Sequence, residues 1–149
     1  MYERFFNLTA EPFRLSPDHS FCYNHSQYAK AKAYMAYAFM RAEGFVLVTG
    51  SPGTGKTTLI GDLVESLADE NVQVANLVST QLAADDLLRM VAFAFGVDAQ
   101  QMDKSTILQQ LTNRFLTLHR ESGRALLIVD EAQDLTAKAL EELRLLTNL

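Results

Sequence analysis

With 149 residues, 48% of them hydrophobic, the chain can build one core and at most one ordinary domain. A formal charge of −5 and a pI of about 5.1 exclude a strong general attraction to nucleic acid or to anionic lipid. Cys22 stands alone, which excludes an intrachain disulfide and fits a reducing compartment.

Charged residues come early, at Glu3 and Arg4, so no signal peptide is expected. No apolar stretch approaches the ~18 residues of a membrane span. Neither an internal repeat nor a low-complexity tract is visible. Residues 1–24 read as irregular, with Pro12, Pro17 and Asp18 punctuating the aromatics Tyr2, Phe5, Phe6, Phe13, Phe21 and Tyr23. His19 and His25 in this region suit turns or caps better than metal ligation, because the histidines and the cysteine show no zinc spacing. A helix is predicted from Ser26 to about Ala42, capped by Ser26 or Asn24 and closed at Gly44.

Phe45-Val46-Leu47-Val48-Thr49 is an apolar, β-branched run and predicts a buried parallel strand. Directly after it, Gly50-Ser51-Pro52-Gly53-Thr54-Gly55-Lys56-Thr57 spells G-x-x-x-x-G-K-[ST]. Leu59, Leu63, Val64 and Leu67 then fall at helical spacing, to about Glu70. The motif thus sits in a strand–loop–helix turn, where its chemistry needs it. Its glycines let the backbone curl until several N–H groups face phosphate oxygens, and the helix N-terminus adds partial positive charge. Lys56 is placed to reach the β- and γ-phosphates, the Thr57 hydroxyl to ligate Mg²⁺, and Thr58 to touch the α-phosphate. The bland alternative is a glycine-rich turn beside a surface lysine. At ordinary residue frequencies such a match arises by chance in roughly one chain of this size in two hundred.

Gln73 to Val78 predicts the second strand, and Asp85 to Phe95 a helix ended by Gly96. Thr106 to Glu121 predicts another helix, with Ile107, Leu108, Leu111, Phe115, Leu116 and Leu118 on a broad apolar face. Ala125-Leu126-Leu127-Ile128-Val129 reads as a third, buried strand that ends in Asp130-Glu131. In open α/β sheets ligands bind beyond the carboxyl ends of the strands, so adjacent carboxylates there form the second half of a nucleotide-hydrolysing site. Asp130 would hold Mg²⁺, directly or through its waters, and Glu131 would polarise the attacking water. Taken alone, an Asp-Glu pair also suits an acidic helix start. Thr136 begins a last helix. Strands alternating with helices imply an α/β fold: a three-layer α/β/α arrangement on a parallel sheet, the architecture of P-loop NTPases.

The Pro-Gly-Thr core of residues 50–57 resembles the phosphate loop of the ATPases associated with diverse cellular activities, the AAA+ class. Asp130-Glu131-Ala132-Gln133 is similar to the second motif of one branch of that class. The opening Tyr2-x-x-Phe5-Phe6-x-Leu8, with Pro12-Phe13, Pro17-Asp18 and Phe21, resembles the start of the general secretion pathway protein A type ATPases. Members of that family accompany type II secretion, mannose-sensitive pilus assembly and exosortase-linked loci in Gram-negative bacteria. Tyr28 departs from the His that many members carry there.

The resemblance implies residues 1–44, an aromatic-rich segment and helix, packing on the core, and residues 45–149 forming a partial P-loop ATPase core. The early aromatics would stack on the adenine or, alternatively, cover the sheet edge and fill the core. It implies a sheet of five parallel strands with the fourth between the first and third. The fourth strand, its sensor residue, the arginine finger and the lid would follow Leu149. The AAA+ core is therefore expected to be incomplete, the chain a piece of a longer protein, and its own turnover weak. Unpaired strand edges could then invite intermolecular pairing.

For the intact protein the implied activity is Mg²⁺-dependent ATP hydrolysis, with Lys56 and Glu131 as catalytic groups. The expected role is a ring-forming motor for secretion or envelope assembly, cytoplasmic, held at the inner membrane through a region beyond residue 149. Other readings stay open. One is a DNA-handling AAA+ ATPase like the transposition regulators, for which Arg114, His119, Arg120 and Arg124 are the candidate basic cluster; the same residues could be a solvated face. Another is a superfamily 1 helicase fragment, although Lys56 and Asp130 stand close together for one. The last is a nucleotide-dependent switch with little turnover.

Overall fold

A computed structural model describes residues 2–9, 25–42, 44–78 and 83–149. They divide into two compact units, Met1–Glu65 and Ser66–Leu149.

The first unit holds α1 (Tyr2–Phe5), α2 (Ser26–Met40) and α3 (Lys56–Ser66), whose last residue opens the second unit. Alanine recurs along α2, so intrinsic propensity supports a helix that buries only Tyr28 and Met35. Its cap is neither Ser26 nor Asn24, as expected, but His25. His25 has extended backbone (φ −77°, ψ 164°), and its side chain accepts the Tyr28 N–H. Ser26 is already helical, and Asn24 lies outside the described residues. The helix closes at Arg41, and Ala42 turns the chain with φ +54°. Most of the early aromatic region, including Phe13, His19, Phe21 and Tyr23, lies outside the described residues. Phe5 and Phe6 pack edge to face with centroids 4.9 Å apart and stay exposed, so neither fills a core.

The strand expected over 45–49 does not form. The segment joins no ladder, and Phe45, Val46 and Leu47 are exposed. An apolar run becomes a strand only when a neighbour takes up its backbone hydrogen bonds. In the sheet order implied by the resemblance, that neighbour is a fourth strand lying between this run and the carboxylate-bearing one. No such strand occurs among the described residues.

The second unit runs β1 (Val72–Val78), α4 (Ala84–Ala94), α5 (Lys104–Arg120), β2 (Arg124–Asp130), a 3₁₀ turn (Ala132–Asp134) and α6 (Ala137–Leu146). The described sheet is the parallel pair β1–β2, in register from Val72 opposite Arg124 to Val78 opposite Asp130. Both strands therefore end together, and Asp130 sits at their common carboxyl edge. This is the α/β fold expected, as an incomplete core.

On β1, Ala75 and Leu77 are buried while Asn76 and Val78 are exposed, the alternation of a sheet covered on one face. β2 was expected to be buried throughout; only Ile128 is fully so, and Ala125 is exposed. Helices α4, α5 and α6 pack into one cluster with the inner residues of β1; Leu87, Leu88, Val91, Phe95, Ile107 and Leu111 are almost wholly enclosed. Phe95 meets Phe115 edge to face at 5.1 Å.

The helix ends are sharply set. Asp103 caps α5 by accepting the Thr106 N–H at 2.8 Å, so the helix begins at Lys104, two residues before the start expected at Thr106. Thr136 caps α6 through the Ala139 N–H at 3.1 Å. Gly96, at φ +80°, closes α4, where a residue with a Cβ would be strained. Glu142 on α6 is buried. Lys104 Nζ donates to its Oε1 at 2.5 Å, while its Oε2 has no hydrogen-bond partner.

Candidate functional site

The loop over residues 50–55 is shaped by backbone conformations that few residues tolerate. Gly53 and Gly55 have φ +78° and +85°, in the left-handed region where a Cβ is penalised. Gly50 serves a different need: a Cβ there would lie 2.8 Å from the Thr54 Oγ1. That hydroxyl donates to the Ser51 carbonyl at 2.8 Å, and the Thr54 N–H donates to the same oxygen at 3.3 Å, closing a tight turn across Pro52 and Gly53. The Leu59 N–H donates to the Gly55 carbonyl at 2.9 Å, which makes the loop run directly into the first turn of α3. The positive end of that helix therefore opens at Lys56, Thr57 and Thr58.

Lys56 folds back over the loop. Its ammonium donates to the Gly50 carbonyl at 2.9 Å and to the Ser51 carbonyl at 3.1 Å. A cation so placed is held by neutral acceptors that an anion could replace, since charge-assisted hydrogen bonds are the stronger. Thr57 is exposed and Thr58 half-buried on the same first turn. All nine residues singled out from Gly50 to Thr58 thus gather in one short segment of the first unit.

A polar tie, not anticipated from the sequence, fixes α3 from the side. The Tyr28 hydroxyl and the Lys32 ammonium each donate to Asp62 Oδ2 at 3.0 Å, joining α2 to the helix that carries the loop. The i, i+4 spacing of Tyr28 and Lys32 puts both on one face of α2. That spacing was the available signal; Asp62 itself carried none.

Asp130 and Glu131 lie in the second unit, where β2 leaves the sheet. The Glu131 N–H donates to Asp130 Oδ1 at 2.9 Å, so the second residue of the pair helps orient the first. Glu131 itself adopts φ +53°, ψ +37°, a left-handed conformation that costs a non-glycine residue about 1 kcal/mol or more. The 3₁₀ turn follows at once, with the Asp134 N–H donating to the Glu131 carbonyl at 3.0 Å. Within that turn the Gln133 side-chain amide donates to Glu131 Oε2.

The basic cluster considered for nucleic acid is partly committed elsewhere. Arg114 donates from Nη2 to Gln73 Oε1 at 2.8 Å and from Nε to the Phe95 carbonyl at 3.3 Å, tying α5 to β1 and to the end of α4. Among the described residues no helix is long and apolar enough to cross a membrane.

The model of a family described as AAA domain matches residues 40–149. General secretion pathway protein A of Aeromonas hydrophila is 36% identical over 150 aligned residues, covering 100% of this chain and 27% of that protein. The ATP-dependent target DNA activator B of Escherichia phage Mu is 31% identical over 104 residues, 70% of this chain and 31% of its own length. The DNA replication ATP-dependent helicase/nuclease DNA2 of Saccharomyces cerevisiae is 43% identical over only 49 residues, a third of this chain and 3% of that protein. The chain therefore spans less than a third of the length of each of these relatives. No solved structure matches.

Proposed function

The chain belongs to the AAA domain family, and on that premise we propose that it binds ATP with Mg²⁺ and hydrolyses it in the service of a bacterial secretion or envelope-assembly system. The observation that carries the nucleotide reading is the Lys56 ammonium resting on the carbonyls of Gly50 and Ser51, inside a loop whose left-handed glycines open backbone N–H groups to an anion. The 36% identity across the whole chain to a general secretion pathway protein A supports the secretion setting.

In this reading residues 45–149 are the ATPase core, and residues 1–44 pack on the nucleotide base. Lys56 leaves its two carbonyls to meet the β- and γ-phosphates, and Thr58 approaches the α-phosphate. The residues available for Mg²⁺ fit it chemically, because the Thr57 hydroxyl and the Asp130 carboxylate are hard oxygen donors. When bound, Mg²⁺ would supply positive charge against the phosphate oxygens. Glu131 orients and polarises the water that attacks, while the loop amides and Lys56 stabilise the charge that builds on the transferring phosphoryl group. The intact protein is proposed to work as a self-associated ring on the cytoplasmic side of the inner membrane, with secretion or envelope-assembly proteins as partners.

The test separates binding from turnover, using calorimetric titration with ATP and Mg²⁺ beside steady-state phosphate release. Lys56→Ala is expected to weaken ATP binding about ten- to a hundredfold, the worth of hydrogen bonds to a charged group. Glu131→Gln is expected to keep binding while lowering turnover by about a hundredfold or more. Equal loss of binding in both variants would overturn this division of roles.

The likeness to a phage target DNA activator favours a second reading, a DNA-handling ATPase. Hydrolysis stimulated by duplex DNA, and not by secretion components, would select it.

A further inference from the structure

Gln133 is a residue for which the proposed chemistry has no use, yet it makes a side-chain contact to the proposed catalytic carboxylate. Its amide Nε2 donates to Glu131 Oε2 across two positions of the chain. Three features of the turn bring the two side chains together. Glu131 takes its left-handed backbone conformation at the end of β2, which turns the chain sharply. The 3₁₀ turn Ala132–Asp134 then folds back on it, closed by the Asp134 N–H on the Glu131 carbonyl. The Glu131 N–H is spent on Asp130 Oδ1, so the backbone of Glu131 is fixed on both sides of its side chain. What backbone geometry leaves undecided is the side-chain torsions of an exposed glutamate, and these are what Gln133 restrains.

We propose that Gln133 is a positioning residue for Glu131: its amide N–H holds one carboxylate oxygen, so that the other is presented to water in a fixed orientation. This rests on the assignment of Glu131 as the group that polarises the attacking water. An amide suits the task better than a cation would. It donates a hydrogen bond without adding charge beside Asp130 and Glu131, and without competing as a salt-bridge partner.

The experiment uses steady-state ATP hydrolysis and ATP binding by the protein carrying Gln133→Ala, Gln133→Glu, Glu131→Gln, and Gln133→Ala combined with Glu131→Gln. Gln133→Glu keeps the shape of the side chain and removes the donor, so a packing role would survive it and a donor role would not. The expected result is a kcat lowered about tenfold in both Gln133 variants, with the KM for ATP within about twofold of the parent, the signature of an interaction that matters only at the chemical step. In the Glu131→Gln background, Gln133→Ala should change nothing further. Full kcat in Gln133→Glu, or a raised KM at unchanged kcat, would overturn the proposal while leaving Glu131 in its role, provided Glu131→Gln still abolishes turnover. Undiminished turnover in Glu131→Gln would overturn the catalytic reading and this inference with it.

Discussion

In the first unit the buried apolar side chains among the described residues are Tyr28, Met35, Leu59 and Leu63, whereas in the second a cluster of fourteen buried residues joins β1 to α4, α5 and α6. The two halves of the proposed chemistry are divided between these settings. The proposed phosphate loop is shaped by glycine conformations and by Lys56, and its helix is tied down by two hydrogen bonds to Asp62, one from the Tyr28 hydroxyl and one, an ion pair, from Lys32. The carboxylates leave a strand anchored in a packed core. In the proposed function the loop releases Lys56 to an incoming anion, and shallow burial favours that, since segments that move are drawn from the less stable parts of a fold. The backbone that carries the carboxylates gains from a dense core, although the Glu131 side chain itself is exposed.

The sharpest way to break this contrast is Phe95→Ala. Phe95 is 1% exposed and meets Phe115 edge to face, so the substitution is expected to cost about 3–5 kcal/mol in urea-induced unfolding of the second unit. A loss below about 1 kcal/mol would mean that the cluster is looser than its burial implies.

For the first unit the counterpart is Tyr28→Phe, which removes only the hydroxyl that reaches Asp62. A hydrogen bond to a carboxylate predicts a loss of about 1.5 kcal/mol. It should appear as faster amide hydrogen exchange in α2 and α3. Unchanged exchange would show that Lys32 alone suffices and that the tie matters less than the apolar contacts.

The smallest effect is expected at the surface of the second unit. Hydrogen bonds from Thr106, together with one from the Ser105 hydroxyl, hold the Asp103 carboxyl below its ordinary value of 3.8. A folded-state value below the unfolded one means that the cap contributes fully above pH 3.8 and is lost as the pH falls through the lowered value. Asp103→Asn should therefore flatten the acid side of the stability–pH curve and leave the α5 cap largely intact near neutrality. An unaltered acid limb would remove Asp103 from that account.

Much of this arrangement was legible in the sequence. The strand delivering Asp130, Gly96 at the end of α4 and Thr136 at the start of α6 were all marked by residue type, because caps and turns depend on local chemistry. The sharp loop over residues 50–55 was legible for the same reason: only glycine readily takes the backbone of Gly53 and Gly55. What escaped depended on distant partners. The run Phe45–Thr49 has the composition of a strand, yet composition reports only that a segment could be buried, not that a neighbour is there to pair with it. Asp62 looked like any polar residue on a helix until α2 was laid against it. The left-handed turn at Glu131 gave no sign at all, since glutamate has no special preference for that conformation.

Glu142 bears on a different question: how α6 knows where to sit. Its partner Lys104 stands 45% in water, so the pair itself adds little to stability. Its weight falls on wrong arrangements. Turning α6 by a single residue would swing the carboxylate about 100° away from Lys104, and a buried carboxylate without its partner costs several kcal/mol. The same turn would also lift Ala139 and Leu143 from the core and bring exposed neighbours such as Arg144 toward it, so the charge and the apolar face select the same setting. The buried Glu142 carboxylate thus makes the neighbouring rotational settings of the helix expensive, and so helps give α6 a single address on the core.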